Sequence, residues 1–170
     1  MFFRSRNLFL RPFWPEDMAG LQAAIGETAF ARACSGATEG GAVPVSQPRL
    51  PRCVIARPGA SGEQLIGAAG LFDRDGGIFL ELWIGPEFRG RGFATEAARS
   101  MIEIARTAGH GELRAKPVED CATAEHVMSK AGFAPPENAA VTAGQGGAAD
   151  YLRVVLDHPL HNEPPKTSAA

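Results

Sequence analysis

Arg89-Gly90-Arg91-Gly92-Phe93-Ala94-Thr95 is the stretch of this chain whose residue types and spacing could do chemistry. Two glycines let a backbone turn tightly and come close to a ligand. From there Ala94, Ala97, Ala98, Met101, Ile102, Ala105 and Ala108 recur at three- and four-residue steps, so a helix starts on the loop. The N–H groups of a helix's first turn have no partner inside the helix, and its dipole adds positive potential there. With Arg89 and Arg91 beside them, such donors form a site for a phosphate or pyrophosphate. The competing reading is an ordinary strand-to-helix connection with surface arginines. Two better-known phosphate loops are excluded. There is no Gly-Lys-Ser/Thr ending, so this is not a P-loop. Thr95 stands where the dinucleotide fingerprint needs Gly or Ala, and the loop lies mid-chain.

The elements that must position this loop follow from periodicity. Before it, residues 78–84 alternate: Ile78, Leu80, Leu82 and Ile84 share one strand face, Phe79, Glu81 and Trp83 the other. After the helix, Gly109 supplies a glycine stop. Nearer the start, residues 8–11 read as a short strand and Pro15, Glu16 and Asp17 as a helix opening, with Met18, Leu21 and Ile25 on its apolar face. Trp14 occupies the N-cap slot, where Ser or Thr would cap better. Residues 28–33 form a second short helix, and 36–51 a loop rich in glycine, proline and serine. Strands at 52–57 and 65–72 join through the turn residues 58–62 as a hairpin. Gly67 and Gly70 interrupt the second of them, which marks close approach of another backbone or a bulge. A brief strand follows at 112–115, and Asp120 can cap a helix over 121–131 that Gly132 ends, with Phe133 packing back. Residues 134–149 read as a loop, 151–156 as a last strand and 159–170 as a disordered tail, leaving one domain over 1–158. Strands and helices alternate in the middle, with hairpins before: an α/β domain around a mixed sheet.

Composition narrows the function classes. The 170 residues are one-domain size, and 45% apolar with 21% charged is ordinary for a soluble globular protein. A net charge of -2 gives no reason to expect nucleic acid. Between Arg89 and Lys116, however, six basic residues face three acidic ones, a local +3 that suits a polyanionic small ligand. Cys34, Cys53 and Cys121 are odd in number and far apart, and His110, His126, His158 and His161 are scattered. Neither set has metal-ligand spacing, so a reducing compartment, no disulfide framework and no metal are expected. The first residues lack the apolar core of a signal peptide, and no apolar run reaches membrane-spanning length, so a cytoplasmic protein with no membrane partner is expected.

The order strand, Pro86, Glu87, then Arg89-x-x-Gly92-x-Ala94 resembles the acyl-coenzyme A loop of the GNAT superfamily, Gln/Arg-x-x-Gly-x-Gly/Ala. The string from Gly85 through Ala98 is most similar to the branch that includes ribosomal-protein N-terminal acetyltransferases. The resemblance continues through Lys130-Ala131-Gly132-Phe133 and spans roughly residues 8 to 156. It implies a single domain with a mixed, mostly antiparallel sheet, helices on both faces and a splayed central strand pair. It implies an N-acetyltransferase that moves an acetyl group from acetyl-CoA to a primary amine, at a protein N-terminus or on a small molecule, by direct attack on the thioester. The protein would be a monomer or homodimer.

Acetyl transfer needs the coenzyme held, the amine deprotonated, the oxyanion stabilised and the thiolate protonated. Arg89, Gly90, Arg91, Gly92, Phe93, Ala94 and Thr95 serve the first need. The resemblance implies that the backbone of Leu82, Trp83 and Ile84 pairs with the pantetheine arm, and that this strand parts from the 112–115 strand to form a slot. A backbone N–H of the strand can then receive the oxyanion. Glu81 is the candidate base: it shares a face with Phe79 and Trp83, and an apolar setting raises a carboxyl pKa towards a useful range. A structural pairing of Glu81 with Arg74 is the alternative. No acid is assigned. Family members often place a tyrosine on the helix after the fifth strand, whereas the sole tyrosine here is Tyr151. The family's usual Asn falls at Cys121, a coenzyme-contact position, and its usual Ser at Ala124. Cys121 lies at a helix start, where a thiol pKa is lowered, or else is a small buried cysteine. The N-acetyltransferase is the leading reading, and these departures are what supports the runner-up, a non-catalytic coenzyme A-binding module of the same fold.

Overall fold

Val54 and Ile55, then Leu71 and Phe72, put branched and aromatic side chains on both faces of two long strands, and all four are buried. A hairpin apolar on both faces must be covered on both, and it is the centre of this fold. The computed structural model describes residues 2–34, 46–59, 62–74, 76–116, 122–136 and 151–156. In chain order the elements are β1 (Phe3–Arg4), β2 (Phe9–Arg11), α1 (Asp17–Ile25), α2 (Glu27–Ala33), β3 (Arg52–Gly59), β4 (Gly62–Arg74) and β5 (Gly77–Ile84). After a 3-10 turn at Pro86–Phe88 come α3 (Phe93–Thr107), β6 (Glu112–Ala115), α4 (Ala122–Ala131) and β7 (Leu152–Val155). The strands make one sheet in sequence order, antiparallel at every pair except β5 with β6.

Two apolar clusters sandwich this sheet. On one face Leu10, Ile55, Leu71 and Leu80 pack with Met101 and Ile104 of α3 and Met128 of α4. On the other, Val54 and Ala68 pack with Leu21 and Ile25 of α1 and Ala33 of α2, with Trp83 and Phe30 against them. Helices therefore cover both faces, as expected. Ala97, Ala98 and Ala105 are fully buried on α3, where small side chains let the helix lie close to the sheet.

Most expected elements are present, with shifted ends. The two hairpin strands run on to Gly59 and from Gly62 to Arg74, and the two-residue β1 was not anticipated. The last strand begins one residue later than expected, at Leu152. The expected irregularity at Gly67 is real: Ile55 pairs with Gly67 but Ala56 with Leu65, so Ile66 is an extra residue. A Cβ at Gly67 would run into the Trp83 carbonyl, which explains the glycine. Residues 36–45, Asp120 and Cys121, 137–149 and the tail at 159–170, all read from sequence, lie outside the described residues.

The opening of α1 corrects the expected cap. The N-cap is Glu16, not Trp14, and no side chain caps it. Asp17 instead accepts the Trp14 N–H at 2.7 Å and a two-point hydrogen bond from Arg11 at 2.7 and 2.8 Å. Arg11 also donates to Glu63 on β4, and the Trp14 ring covers its guanidinium at 3.7 Å. Arg11 and Asp17 are only 3% and 5% exposed, so the pair bolts α1 to the sheet from inside. Removing one partner of a buried pair typically costs about 3–5 kcal/mol, because the other charge stays buried. Asp17→Asn leaves Glu63 as partner, so a loss near the lower end, about 3 kcal/mol, is expected by urea unfolding. Burial alone would push the Asp17 carboxyl up, but the Arg11 and Trp14 hydrogen bonds outweigh it and hold it below the usual range. A depressed carboxyl contributes stability above its unfolded pKa of about 3.9, lost as pH falls further through the folded value. Part of the wild-type acid sensitivity below about pH 4 should therefore disappear in Asp17→Asn.

Candidate active site

The loop at residues 89–95 is anchored from below. Phe88 is buried in the core, Gly85 donates its N–H to the Ile66 carbonyl at 2.9 Å, and Arg89 Nε donates to the Ile84 carbonyl at 3.2 Å. The extra residue in β4 thus fixes where β5 ends and the loop begins. Gly90 and Gly92 have φ of 73° and 81°, left-handed values that a side chain makes costly. A Cβ built on either meets nothing within 4 Å, so the ground above both is open. Gly92 is the N-cap of α3 and no side chain caps the helix, which leaves its first-turn N–H groups for an anion. Arg91 is exposed at the loop, and Phe93, Ala94 and Thr95 are half-buried. The residues present fit a pyrophosphate.

Glu96, also in that first turn, is held by other donors. Its carboxylate accepts from Ser5 Oγ at 2.7 Å, the Asn7 N–H at 2.6 Å and Asn7 Nδ2 at 2.9 Å. Burial raises its pKa, but these hydrogen bonds prevail and keep it below the usual carboxylate range. They tie the β1–β2 turn to the start of α3. A cavity of about 480 Å³ lies by that turn, with Arg4, Arg6 and Arg57 in its wall.

The strand pair β5–β6 splays. β5 matches β4 along eight residue pairs but meets β6 at a single one, Phe79 with Arg114. From Leu80 onward that edge of β5 has no strand partner among the described residues. A cavity of about 810 Å³ passes through the gap. Leu82 and Trp83 line it from β5, Ala115 from β6 and Met128 from α4; Thr28 and Arg32 line it from α2, on the other side of the sheet. The cavity thus joins both faces. Ala124 also lines it and offers no hydroxyl there. Ile84, buried, ends the slot beside the loop.

Glu81 lines the same cavity, 14% exposed, on the strand face with Phe79 and Trp83. Its setting is not purely apolar as expected, because Arg74 forms an ion pair with it from β4. The register explains this: Glu81 faces Gly70, and Arg74 lies on the same strand face four residues on. Tyr151, which the sequence left without a role, packs edge-on against Phe79 with ring centroids 6.1 Å apart, under the Arg114 guanidinium. His110 is buried with Nε2 2.5 Å from the Arg49 carbonyl oxygen, a structural contact, while His126 is exposed on α4. Burial pushes the Cys53 thiol up to about 11 and raises Cys34 too, so neither is a thiolate nucleophile near neutrality. Among the described residues no group of three or more His, Cys, Asp or Glu could hold a metal ion, and no helix is long and apolar enough to cross a membrane. The walls of α1 and α2 around the cavity, above all Glu27 and Arg32, were not anticipated.

Comparison with known proteins agrees with this geometry. The acetyltransferase (GNAT) domain family matches residues 7–134. An acetyltransferase of the GNAT family from Bacillus anthracis superimposes with a TM-score of 0.64 at 14% identity, covering 91% of this chain and 98% of its own. A Vibrio cholerae structure assigned as a ribosomal-protein-serine acetyltransferase gives 0.61 at 11% identity, with 91% and 97% covered. Spermidine N-acetyltransferase from Vibrio cholerae, in complex with CoA and spermine, gives 0.55 at 18% identity, with 76% and 82% covered. No curated protein matches the sequence. The family match over residues 7–134, on a splayed sheet with an open glycine loop, establishes that the chain belongs to the GNAT acetyltransferases.

Proposed function

We propose that this protein transfers the acetyl group of acetyl-CoA to a primary amine, on a protein N-terminus or a small molecule, with Glu81 as general base. The carrying observation is the cavity through the β5–β6 gap, with the unpartnered β5 edge on one side and Glu81 on the other. Acetyl-CoA supplies an acyl carbon activated by its thioester. Residues Arg89, Gly90, Arg91, Gly92, Phe93, Ala94 and Thr95 hold the pyrophosphate, with Leu82, Trp83 and Ile84 beside the arm and Cys121 as a further coenzyme contact. Glu81, directly or through water, takes the proton that the substrate ammonium must lose before its nitrogen can attack. The amine nitrogen bonds to the acyl carbon as the carbon–sulfur bond breaks, and sulfur leaves with the electron pair and is protonated. Backbone N–H groups on the β5 edge are suited to the charge that develops on the carbonyl oxygen. Free thiols at Cys34 and Cys53 are in keeping with a reducing, cytoplasmic setting.

The test is thiol release from acetyl-CoA with a panel of amines and N-terminal peptides, and mass detection of the product. Acetylated amine in step with free thiol is the expected result. Coenzyme binding with no product from any amine would mean a binding module and overturn the proposal.

A further inference from the structure

Which amine the site takes can be argued from its charges. On the Glu81 face of the sheet, Arg52 of β3, Gly70 of β4 and Glu81 of β5 stand in one row by register. Gly70 has no side chain, and a Cβ there would crowd Phe72 and the Arg52 stem, so both lean over it. The Arg52 guanidinium lies 4.4 Å from the Phe72 ring centroid and that of Arg74 5.0 Å from it. Two cations thus flank the floor beside one carboxylate. Above it, the cavity is lined by Arg32, Arg74 and Lys116 against Glu27 and Glu81. Arg32, exposed in the last turn of α2, makes no ion pair with another described residue. Arg74 is 47% exposed, so the guanidinium that pairs with Glu81 still faces the cavity.

We propose that the acceptor is an amine that carries its own carboxylate, an amino acid, with the amine at Glu81 and the carboxylate received by Arg74 and Arg32. This rests on the acetyl-transfer reading above. An amino group and a carboxylate one carbon apart match a carboxylate and a guanidinium in direct contact. Trp83 and Phe79 add an apolar wall for a side chain. A polycation such as spermidine would bring further positive charge to a wall already rich in it, and like charges repel.

The experiment compares kcat/KM at saturating acetyl-CoA for L-amino acids, each beside its carboxamide, and for spermidine. The carboxamide has the more easily deprotonated amine, so preference for the free acid cannot come from amine basicity. The best acid is expected to exceed its own amide and spermidine by about tenfold or more. Arg32→Gln should shrink the acid-to-amide ratio through KM for the acid, and Arg32→Lys should keep most of it. Turnover that favours the amide or spermidine, or a ratio unmoved in Arg32→Gln, overturns this inference while leaving acetyl transfer standing. No product from any amine overturns both.

Discussion

Glu81→Gln should lower turnover by about 10²–10⁴, the range typical of general-base loss, while the acetyl-CoA dissociation constant stays near wild type. Gln keeps the shape and can still hydrogen-bond in the cavity, but it cannot accept a proton. The rate should regain ground as pH rises, because free amine then forms without help. An α-amine, at pKa about 7.7–8.0, should recover at lower pH than a lysine-type amine near 10.4. The Arg74 ion pair supplies the competing account, in which Glu81 only orders β4 and β5. Arg74→Gln, compared by kcat at saturating amine, separates the two, since it breaks the same pair and leaves the carboxylate, while a weaker hold on an acceptor carboxylate shows in KM. If both variants lose the same activity with wild-type pH profiles, Glu81 is structural.

Gly92→Val should raise the acetyl-CoA dissociation constant by about a hundredfold, equivalent to about 2.7 kcal/mol. Two causes act together. At φ 81° a β-branched residue is strained, and its side chain would fill the open ground above the loop where the pyrophosphate is expected. Gly92→Ala carries the backbone cost with far less bulk, so it should bind with an intermediate constant. Because Gly92 is exposed and a Cβ there meets nothing within 4 Å, both variants should fold, at a cost of about 1–3 kcal/mol for the strained backbone. A folded Gly92→Val with the wild-type constant would remove the loop from the coenzyme site.

The parts of this fold that could be read from sequence are those where local chemistry decides. The glycines of the 89–95 loop, the alternation along β5 and the four-residue β6 were visible because each depends on near neighbours. Gly67 was recognisable as a close approach, though its partner, the Trp83 carbonyl, was not. The two-residue β1 has no periodicity to detect. Arg11, Asp17 and Glu63 meet across 52 residues of chain, and nothing in their spacing announces it. The α2 wall of the 810 Å³ cavity escaped for the same reason. Arg32 and Glu81 come from a helix and a strand whose packing is set by Leu21, Val54, Ala68 and Trp83 in the shared cluster. Arg74, by contrast, was legible as a partner of Glu81, since a hairpin between them brings opposite strands into register.

The central claim, that the glycine loop and the splayed β5 edge together form the acetyl-CoA site, is tested most directly by titrating acetyl-CoA into 15N-labelled protein and following backbone amides. The two sets lie on different elements, the end of β5 and the start of α3, so a shared dissociation constant at both, with Leu82 and Trp83 included, is the signature of one ligand spanning them. Large, saturable shifts are predicted at Gly90, Gly92, Phe93 and Ala94 and, with the same dissociation constant, at Leu82, Trp83 and Ile84. Shifts confined to Ser5, Asn7 and Arg57 around the 480 Å³ cavity, with the loop and β5 silent, would contradict it.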